Sequence, residues 1–387
     1  MSILYNHTNG FVPSSNNSLV KVATSEACRF MVDCLRAVGA NQEAAKQHAE
    51  LLIQADIMGH PSHGMNRLEL YVNDIISGAC TPNNQPVILK ENASTAWIDA
   101  KNVLGATASH FAMNKAIEKA RKTGVGWVAV KGSNHNGMAG FWAQKAANEG
   151  MIGMAFTNTS PLMAPTRSKQ AALGTNPLAV VAPGSCGETF YLDMATTAVA
   201  VGKIEMQRRK GEPVPAGWAQ GPDGNETTDA EEAFDIKRLF PLGGSEVTSG
   251  YKGFGLGALV ELLCGITAGS KYGHHIRGWS HSGAGGPADL GHCFIAVKIE
   301  DFAPGFGDRL TDCIQHWRKL EPIDPSKPVL APGDKEKQNE LKAKKSGSVY
   351  FVKQQIASNA ALAAKLKVKP MEIINDECNN NNQEIFK

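Results

Sequence analysis

The sequence predicts an α/β protein with a substantially parallel or mixed sheet, preceded by a helical segment. Three observations favour this class. Apolar residues between positions 24 and 78 recur at the spacing of amphipathic helices. From position 94 onward, short apolar runs alternate with longer helical patterns, as in sheets built from strand–helix–strand units. The length of 387 residues allows two domains, or one large domain with an elaborated edge.

The first elements of the chain are three helices. Apolar spacing predicts a first helix that Thr24 or Ser25 caps, and Asn41 opens a second one. The second helix leads into a turn at 60–64, and a third helix follows over 68–77. The turn therefore lies at a short junction between two helices.

The middle of the chain alternates between strands and helices. Strands are predicted over 94–99, 125–131, 152–157, 178–182, 190–193 and 293–298, with helices over 106–122 and 138–148. The stretch 211–232 is rich in Gly, Pro and acidic residues and predicts a surface loop, with a lid or an interface arm as alternatives. Two more helices are predicted near the C-terminus, over 335–345 and 349–363.

Composition excludes several kinds of partner. Lys and Arg number 39 against 37 Asp and Glu, and the charges are dispersed, so the sequence has no footprint for nucleic acid or an anionic membrane. No apolar run is long enough to span a bilayer. The eight cysteines form no C-x-x-C pair, which favours reduced thiols over disulfides or a metal site. The polar, arginine-free N-terminus argues against a secretory signal or transit peptide, so we expect a cytoplasmic protein that binds a small molecule.

The turn between the second and third helices carries the first candidate chemistry. His63 supplies a group that titrates near neutral pH, as proton transfer to or from a hydroxyl requires. Arg67, four residues further on, can hold a carboxylate through two hydrogen bonds. The alternative is structural: Pro61 and Gly64 separate two helices, His63 caps one of them, and Arg67 is solvated.

Other polar residues follow predicted strands. The segment 133–137 lies at the carboxyl end of the strand 125–131, where ligands of α/β proteins usually bind, although a plain turn is the alternative. The segments 174–177 and 193–196 likewise end apolar stretches. Asp193 is a candidate to orient or pair with His63, or else to cap a helix.

A glycine pattern over 253–258 satisfies the dinucleotide fingerprint G-x-G-x-x-A, but it lacks the structural context. No apolar strand precedes it, and no acidic residue ends a second strand beyond it. We interpret it as a helix start whose glycines permit close packing. Free backbone N–H groups there, together with Lys252, are expected to bind an anion such as the diphosphate of a cofactor.

Six motifs follow one another between residues 20 and 365. They are Ser62-His63-Gly64-x-x-Arg67-x-x-x-Tyr71, Ser133-Asn134-His135-Asn136-Gly137-x-Ala139-Gly140, Thr157-Asn158-Thr159-Ser160-Pro161-Leu162-Met163-Ala164-Pro165, Leu173-Gly174-Thr175-Asn176-Pro177, Asp193-Met194-Ala195-Thr196 and Gly250-Tyr251-Lys252-Gly253. In this combination they resemble the malate/L-lactate dehydrogenase family of the second type. That family includes ureidoglycolate dehydrogenase, sulfolactate dehydrogenase, diketogulonate reductase and piperideine-carboxylate reductase.

The resemblance implies a non-Rossmann NAD(P)-binding fold, as in L-sulfolactate dehydrogenase-like proteins, and a homodimer. It also implies that both ends of the chain form the helical domain. The expected organisation begins with a disordered N-terminus over 1–20. A helical domain follows over 21–90 and is completed by the C-terminal helices in 320–366. A mixed α/β cofactor-binding domain occupies 91–319, and a disordered tail covers 367–387.

The resemblance also assigns roles to residues. His63 becomes the proton donor and acceptor, with Asp193 beside it and Arg67 near the substrate carboxylate. The implied substrate-binding residues are Ser62, Arg67, Tyr71 and His135. The implied cofactor-binding residues are His135, Thr159, Ser160, Thr175, Asn176, Thr196, Lys252, Gly333 and Asp334.

Two places depart from the family pattern. Asn136 stands where many members have an aromatic residue, which leaves the size of the substrate open. The turn 166–169 replaces a more glycine-rich one and bears on how the cofactor is held. Arg167 and Lys169 in that turn are candidate partners for the 2′-phosphate of NADP.

The sequence thus predicts an oxidoreductase without a metal that uses NAD or NADP, with NAD favoured. It would interconvert a 2-hydroxy acid, malate or lactate first of all, and its 2-oxo acid. Reduction of a cyclic imino acid or another 2-oxo acid is the enzymatic alternative, since the same proton donor and carboxylate clamp would serve a C=N bond. A catalytically silent, nucleotide-binding dimer is the alternative outside enzymes.

Overall fold

A seven-stranded mixed sheet forms the centre of the fold. The computed structural model describes residues 19–279 and 285–374, and only the backbone of Arg209. The strands of this part of the chain are β1 Leu19–Ala23, β2 Val87–Glu91, β3 Thr95–Asp99, β4 Val125–Ser133, β5 Met151–Thr157, β6 Leu178–Pro183, β7 Thr189–Met194, β8 Ala219–Gln220, β9 Glu226–Thr227, β10 Leu290–Lys298 and β11 Ser348–Val352. The large sheet has the order β2-β3-β4-β10-β5-β6-β7, in which β3 and β4 are parallel and the other neighbours antiparallel. The predicted mixed α/β class is confirmed.

Helices cover this sheet and build a second part of the molecule. They are α1 Thr24–Ala37, α2 Gln42–Ile57, α3 Leu68–Ile76, α4 Gly105–Thr123, α5 Ala139–Ala147, α6 Val201–Lys210, α7 Ala230–Ile236, α8 Gly250–Glu261, α9 Phe306–Arg318, α10 Asp334–Ser346 and α11 Lys353–Leu366. Helices α4 and α5 pack on the sheet through buried alanines. A side chain at Gly126 or Gly153 would overlap the carbonyl of Ala116 or Ala143, so these strand glycines let both helices approach closely.

The two ends of the described chain meet in one small sheet and one apolar cluster. Strand β1 pairs with β11 in antiparallel register, from Leu19 opposite Val352 to Ala23 opposite Ser348. The cluster beneath it joins buried residues of α1, α2 and α3 to β11 and α11, among them Phe30, Leu52, Tyr71, Phe351 and Leu362. The helical junction at 60–67 therefore rests on a core made from distant parts of the sequence.

Most predicted strands and helices are present, but the cap of the first helix differs from the prediction. Residue Ala23, not Thr24 or Ser25, is the cap position of α1, and no side chain caps that helix because β1 runs directly into it. Asn41 does cap α2, by accepting a hydrogen bond from the backbone N–H of Ala44 at 2.9 Å.

The predicted helix over 349–363 was wrong in its first part. Residues 349–352 belong to β11, because pairing with β1 satisfies their backbone groups, and the helix begins only at Lys353. Strands β1 and β2 and helices α6 and α9 were not predicted. The stretch 211–232 is not wholly irregular, since it contains β8, β9 and the start of α7.

Some expectations fall on parts of the chain that are not described. Disorder was predicted over 1–20 and 367–387, of which 1–18 and 375–387 lie outside the described residues. Residues 19 and 20 instead belong to β1, and Ile374 forms a bridge with Lys21. Among the helices that are described, none is both long and apolar enough to cross a membrane. Over the same residues, no group of three or more His, Cys, Asp or Glu side chains is placed to hold a metal ion.

Candidate active site

The junction between α2 and α3 consists of two short 3₁₀ turns, Pro61–His63 and Met65–Arg67. The Asp56 carboxylate closes it by accepting a hydrogen bond from the backbone N–H of Met65 at 2.9 Å. A side chain at Gly64 would overlap that carboxylate, so only glycine fits between the turns. Glycine at position 64 lets the backbone pack closely against Asp56, and this packing fixes the path of the backbone beside His63.

His63 lies half-buried at this junction. Its Nδ1 atom is 3.0 Å from the Ser62 hydroxyl, and its ring lies 6.0 Å from the ring of His135, centroid to centroid. Burial and the positive charges of Arg67 and His60 lower the pKa of His63 to about 4. The imidazole is therefore neutral at pH 7 and can accept a proton.

Arg67 lies next to His63 and is held by the backbone. Its Nε group donates a hydrogen bond to the carbonyl oxygen of Ser62 at 2.7 Å. Burial lowers the pKa of Arg67, but a guanidinium remains charged under ordinary conditions. Within the described residues its two terminal nitrogens donate no hydrogen bond, so the planar end of the side chain is available to an anion.

His135 faces His63 from the end of β4. Its Nδ1 atom accepts a hydrogen bond from the backbone N–H of Gly137 at 3.2 Å, and the Tyr71 hydroxyl lies 2.7 Å from the same atom. Since Nδ1 is an acceptor, the proton of the neutral ring sits on Nε2. The indole of Trp279 stacks on His135 with centroids 4.4 Å apart. The motifs bring His63, Arg67, Tyr71 and His135 together as predicted, while Trp279 was not predicted.

Asp193 lies near His60 rather than in the expected pairing with His63. Its Oδ2 atom accepts a hydrogen bond from the backbone N–H of Gly140 at 2.7 Å. Burial raises the pKa of Asp193 to about 6, and the charged groups that modify this effect are His60 and Glu336. His60 pairs with Glu336 at 3.3 Å. Burial lowers the pKa of His60, but Glu336 and Asp193 outweigh it, so the pKa is raised overall.

The predicted cofactor residues at the ends of β5 and β6 form one hydrogen-bonded network. The Thr175 N–H donates to the Thr159 hydroxyl at 3.0 Å, and the Thr196 hydroxyl donates to the carbonyl of Thr175 at 3.0 Å. Asn176 donates to the buried carboxylate of Glu261 at 2.8 Å. Glu261 was not predicted, although a single acid inside an apolar helix is a signal that sequence reasoning could have used.

Comparison with known proteins decides the family. A model of the family described as malate/L-lactate dehydrogenase matches residues 22–358. The chain belongs to this malate/L-lactate dehydrogenase family. The resemblance inferred from the six motifs is confirmed.

Relatives and solved structures agree with this membership. The chain is 42% identical over 302 residues to a malate dehydrogenase of Pyrococcus abyssi, covering 77% of this chain and 82% of that one. It is 35% identical over 318 residues to an L-sulfolactate dehydrogenase of Methanocaldococcus jannaschii, covering 82% and 89%. The crystal structure of a malate dehydrogenase from Entamoeba histolytica matches with a TM-score of 0.86 and 30% identity, covering 91% of this chain and 99% of that chain.

In this dehydrogenase the glycine pattern over 253–258 lies inside α8, which confirms that it is not a Rossmann fingerprint. A side chain at Gly253 would overlap the backbone of Leu242, so the glycine serves close packing, as interpreted. The expectation of free N–H groups was wrong in part. The N–H groups of Gly250 and Lys252 donate to the carbonyls of Ser245 and Ser249, because the turn before α8 folds back on it. The Lys252 side chain is exposed.

Gly333 and Asp334, two of the predicted cofactor-binding residues, lie at the start of α10. Gly333 adopts a φ of 97°, and a side chain there would press against Tyr191. The Asp334 carboxylate pairs with Arg318 at 2.6 Å and accepts the N–H of Ala331 at 2.8 Å. The contacts of Asp334 are thus internal, while Glu336 in the first turn of the same helix reaches His60.

Proposed function

We propose that this dehydrogenase of 2-hydroxy acids oxidises malate or lactate with NAD or NADP, and that His63 is its general acid and base. The observation that carries the proposal is the pair of His63, neutral at pH 7, and Arg67, whose charged end is available, on one rigid junction. In oxidation, His63 accepts the hydroxyl proton. In reduction, the protonated imidazole returns a proton to the carbonyl oxygen.

The remaining residues bind and orient the acid. The terminal nitrogens of Arg67 hold the carboxylate through two hydrogen bonds, which sets the position of the neighbouring carbon. His135 presents its Nε2–H group opposite His63 and donates to an oxygen of the substrate. Asp193 stabilises a positive charge at His60, next to the reacting imidazole. Nicotinamide, when bound, supplies the hydride acceptor.

The polar residues hydrogen-bonded around Glu261 and Thr175 have side chains that could bind a nicotinamide cofactor. Hydroxyl groups of Thr159, Ser160 and Thr175 line the end of the sheet that faces the His135 side of the site, where they can bind ribose oxygens. The buried Nε group of Arg277 has no hydrogen-bond partner among the described residues, and the Ser160 hydroxyl donates to the carbonyl of that same residue at 2.7 Å. An unpartnered buried donor in the residue that contacts Ser160 supports a polar ligand.

Substrate and cofactor are best identified together. Purified protein would be given NAD⁺ or NADP⁺ with L-malate, L-lactate and sulfolactate, and NADH or NADPH with the matching oxo acids and piperideine-2-carboxylate. Turnover of malate or lactate is the expected result. Turnover of the cyclic imino acid alone would favour the reductase alternative, and cofactor binding without any turnover would favour the silent dimer.

The pH dependence of the oxidation follows from the state of His63. Its pKa lies at about 4 in the free enzyme, so the base is present at pH 7 and is lost by protonation only in acid. Because kcat/KM reports the ionisation of the free enzyme, we expect it to stay level down to about pH 5 and to fall below that. Initial rates over this range, at an ionic strength held constant, test the assignment. Because burial raises the pKa of Asp193 to about 6, the profile is measured in Asp193→Asn as well. A fall centred near the ordinary histidine pKa of about 6.5 that persists in this variant would contradict the assignment.

Lys252 is proposed to bind the cofactor diphosphate at the start of α8. Since the neighbouring N–H groups of Gly250 and Lys252 are already hydrogen-bonded, the ammonium group carries this role. We expect Lys252→Ala to raise the KM of the cofactor roughly tenfold and the KM of the acid much less. Lys122→Ala, which removes an exposed lysine paired with Glu118 on α4, is the control. Unchanged cofactor affinity in Lys252→Ala would remove the residue from the site.

NAD is proposed as the preferred cofactor, and the cytoplasm as the site of action. Arg167, a candidate partner for the 2′-phosphate of NADP, already forms an ion pair with Glu246 at 2.5 Å. The pairing supports NAD. Comparing kcat/KM for the two cofactors tests this preference.

We also propose a homodimer. Helix α8 and the helical turn after it expose Tyr251, Leu259, Leu262 and Ile266 at helical spacing. An apolar stripe of this kind is typical of a surface that a partner covers. Light scattering that gives the mass of one chain would contradict the dimer.

A further inference from the structure

We infer that Asp74 and Trp279 are positioning residues that fix the orientation of the His135 imidazole. The inference rests on the proposed role of His135 as the donor opposite His63. It concerns two side chains that the six motifs do not contain. Trp279 stacks on His135 and also packs edge-on against Tyr71. Asp74 reaches the site through Trp279 and Arg277, so Asp74 and Trp279 are both placed to act through neighbouring side chains.

The His135 ring is held at two places. The Tyr71 hydroxyl and the N–H of Gly137 contact Nδ1, which determines the nitrogen that carries the proton. They do not determine the tilt of the ring, because a histidine can pivot about a hydrogen bond to one nitrogen. The Trp279 indole lies nearly parallel to the ring, at 24° and a centroid distance of 4.4 Å, and removes that freedom.

Trp279 itself depends on Asp74. It belongs to an irregular segment, 276–279, whose backbone forms neither helix nor strand. Its indole N–H donates to Oδ2 of Asp74 at 2.8 Å, and Arg277 in the same segment donates to Oδ1 at 3.0 Å. The side chains of Asp74 and Arg277 are only 6% and 9% exposed. One buried carboxylate therefore anchors the segment that carries the indole through two of its side chains.

Helix α3 supplies both supports of His135. Tyr71 and Asp74 are three residues apart and so lie on the same face of the helix. Tyr71 reaches His135 directly, and Asp74 reaches it through Trp279. The Tyr71 ring is in turn held edge-on by the ring of His48 at 4.0 Å. His48 is fully buried, and burial lowers its pKa to about 3, so it packs there as a neutral ring.

The arrangement also connects the two sides of the site. Asp74 belongs to the helix that follows Arg67, on the side proposed to bind the substrate. The carbonyl oxygen of Arg277 accepts a hydrogen bond from the Ser160 hydroxyl, on the side proposed to bind the cofactor. A substrate held by Arg67 and a cofactor held near Ser160 must meet with the reacting atoms aligned. A misplacement of about 1 Å can cost about 10²-fold in rate. Side chains that fix His135 from both sides are therefore expected to affect kcat.

The test replaces the indole N–H and keeps an aromatic ring. Trp279→Phe is expected to lower kcat/KM about 10- to 100-fold with L-malate and NAD⁺, or with whichever acid of the substrate panel the wild type oxidises fastest. Trp97→Phe is the matched control, because the Trp97 N–H forms a similar 2.8 Å hydrogen bond to the carbonyl of Ala268 outside the site. The control is expected to keep full activity, and melting temperatures of both variants are measured alongside.

A double-mutant cycle separates positioning from general damage. If Trp279 acts through His135, then Trp279→Phe lowers kcat in the wild type but not in a His135→Ala background. Equal losses in both backgrounds would overturn the inference, as would full activity of either Trp279→Phe or His135→Ala. A second pair of variants controls for a folding defect. Asp74→Asn keeps an oxygen acceptor for the indole N–H and should retain more activity than Asp74→Ala. Equal losses of activity in two variants with equal melting temperatures would count against Asp74 as a positioning residue. Failure of any of these outcomes leaves the substrate panel, which tests the function itself, unaffected.

Discussion

His63→Ala is expected to lower kcat by about 10²- to 10⁴-fold, the usual contribution of general acid–base catalysis. The loss should fall on the chemical step, because Arg67 and the residues near Glu261 would still hold acid and cofactor. Steady-state kinetics, with a titration of cofactor binding by nicotinamide fluorescence, measures both effects. Cofactor affinity should stay close to that of the wild type.

A control is available in the same turn. His60→Ala removes a neighbouring imidazole that pairs with Glu336, and it should lower kcat far less than His63→Ala. If His63→Ala folds and keeps nearly full kcat, the proton-transfer role would move to His135, whose Nε2–H group faces the same space. The junction would then serve only to connect two helices.

Arg67→Ala is expected to raise the KM of the acid strongly and to lower kcat as well. Losing a hydrogen-bonded charge pair corresponds to about 1.5–3 kcal/mol, or roughly 10- to 100-fold in KM. The fall in kcat follows because a carboxylate that tilts also misaligns the carbon that gives up hydride. Kinetics with the acid varied at saturating cofactor measure both constants.

Arg67→Lys provides the matched comparison. It keeps the positive charge but cannot hold a carboxylate with two parallel hydrogen bonds, so it should recover part of the binding and little of kcat. An Arg67→Ala enzyme with an unchanged KM would show that the carboxylate binds elsewhere. His63→Ala and Arg67→Ala thus separate proton transfer from anchoring.

The sequence predicted those features that depend on neighbouring residues. Helix periodicity and the Pro61 and Gly64 breaks located the junction that carries His63 and Arg67, and alternation of strands and helices indicated the mixed sheet. Each of these signals arises within a short window, where local backbone preferences and burial agree. The order of strands in the sheet was not predicted, because it depends on pairing between distant segments.

Longer-range features were missed for the same reason. The apolar residues Val349, Phe351 and Val352 continue a helical pattern into α11, yet they form a strand because β1 pairs with them. Trp279 lies in an irregular segment with no periodic signal, and only Asp74, distant in sequence, places it on His135. The position of Asp193 near His60 could not be inferred either, since the motif shows which residues are present and not which of two nearby histidines a carboxylate faces.

The pairing of β1 with β11 has a consequence for how the chain acquires its shape during synthesis. The helices that support His63 and Arg67 emerge from the ribosome early. Val349, Phe351 and Leu362, which complete their apolar cluster, emerge only after the strands of the large sheet. Until then the early helices expose apolar surface, which makes such an intermediate prone to aggregation. Contacts this far apart in sequence also slow folding, because a large loop must close before they form. A nascent chain should therefore complete the junction that carries His63 and Arg67 only after residue 362 has emerged, whereas the central sheet can assemble earlier.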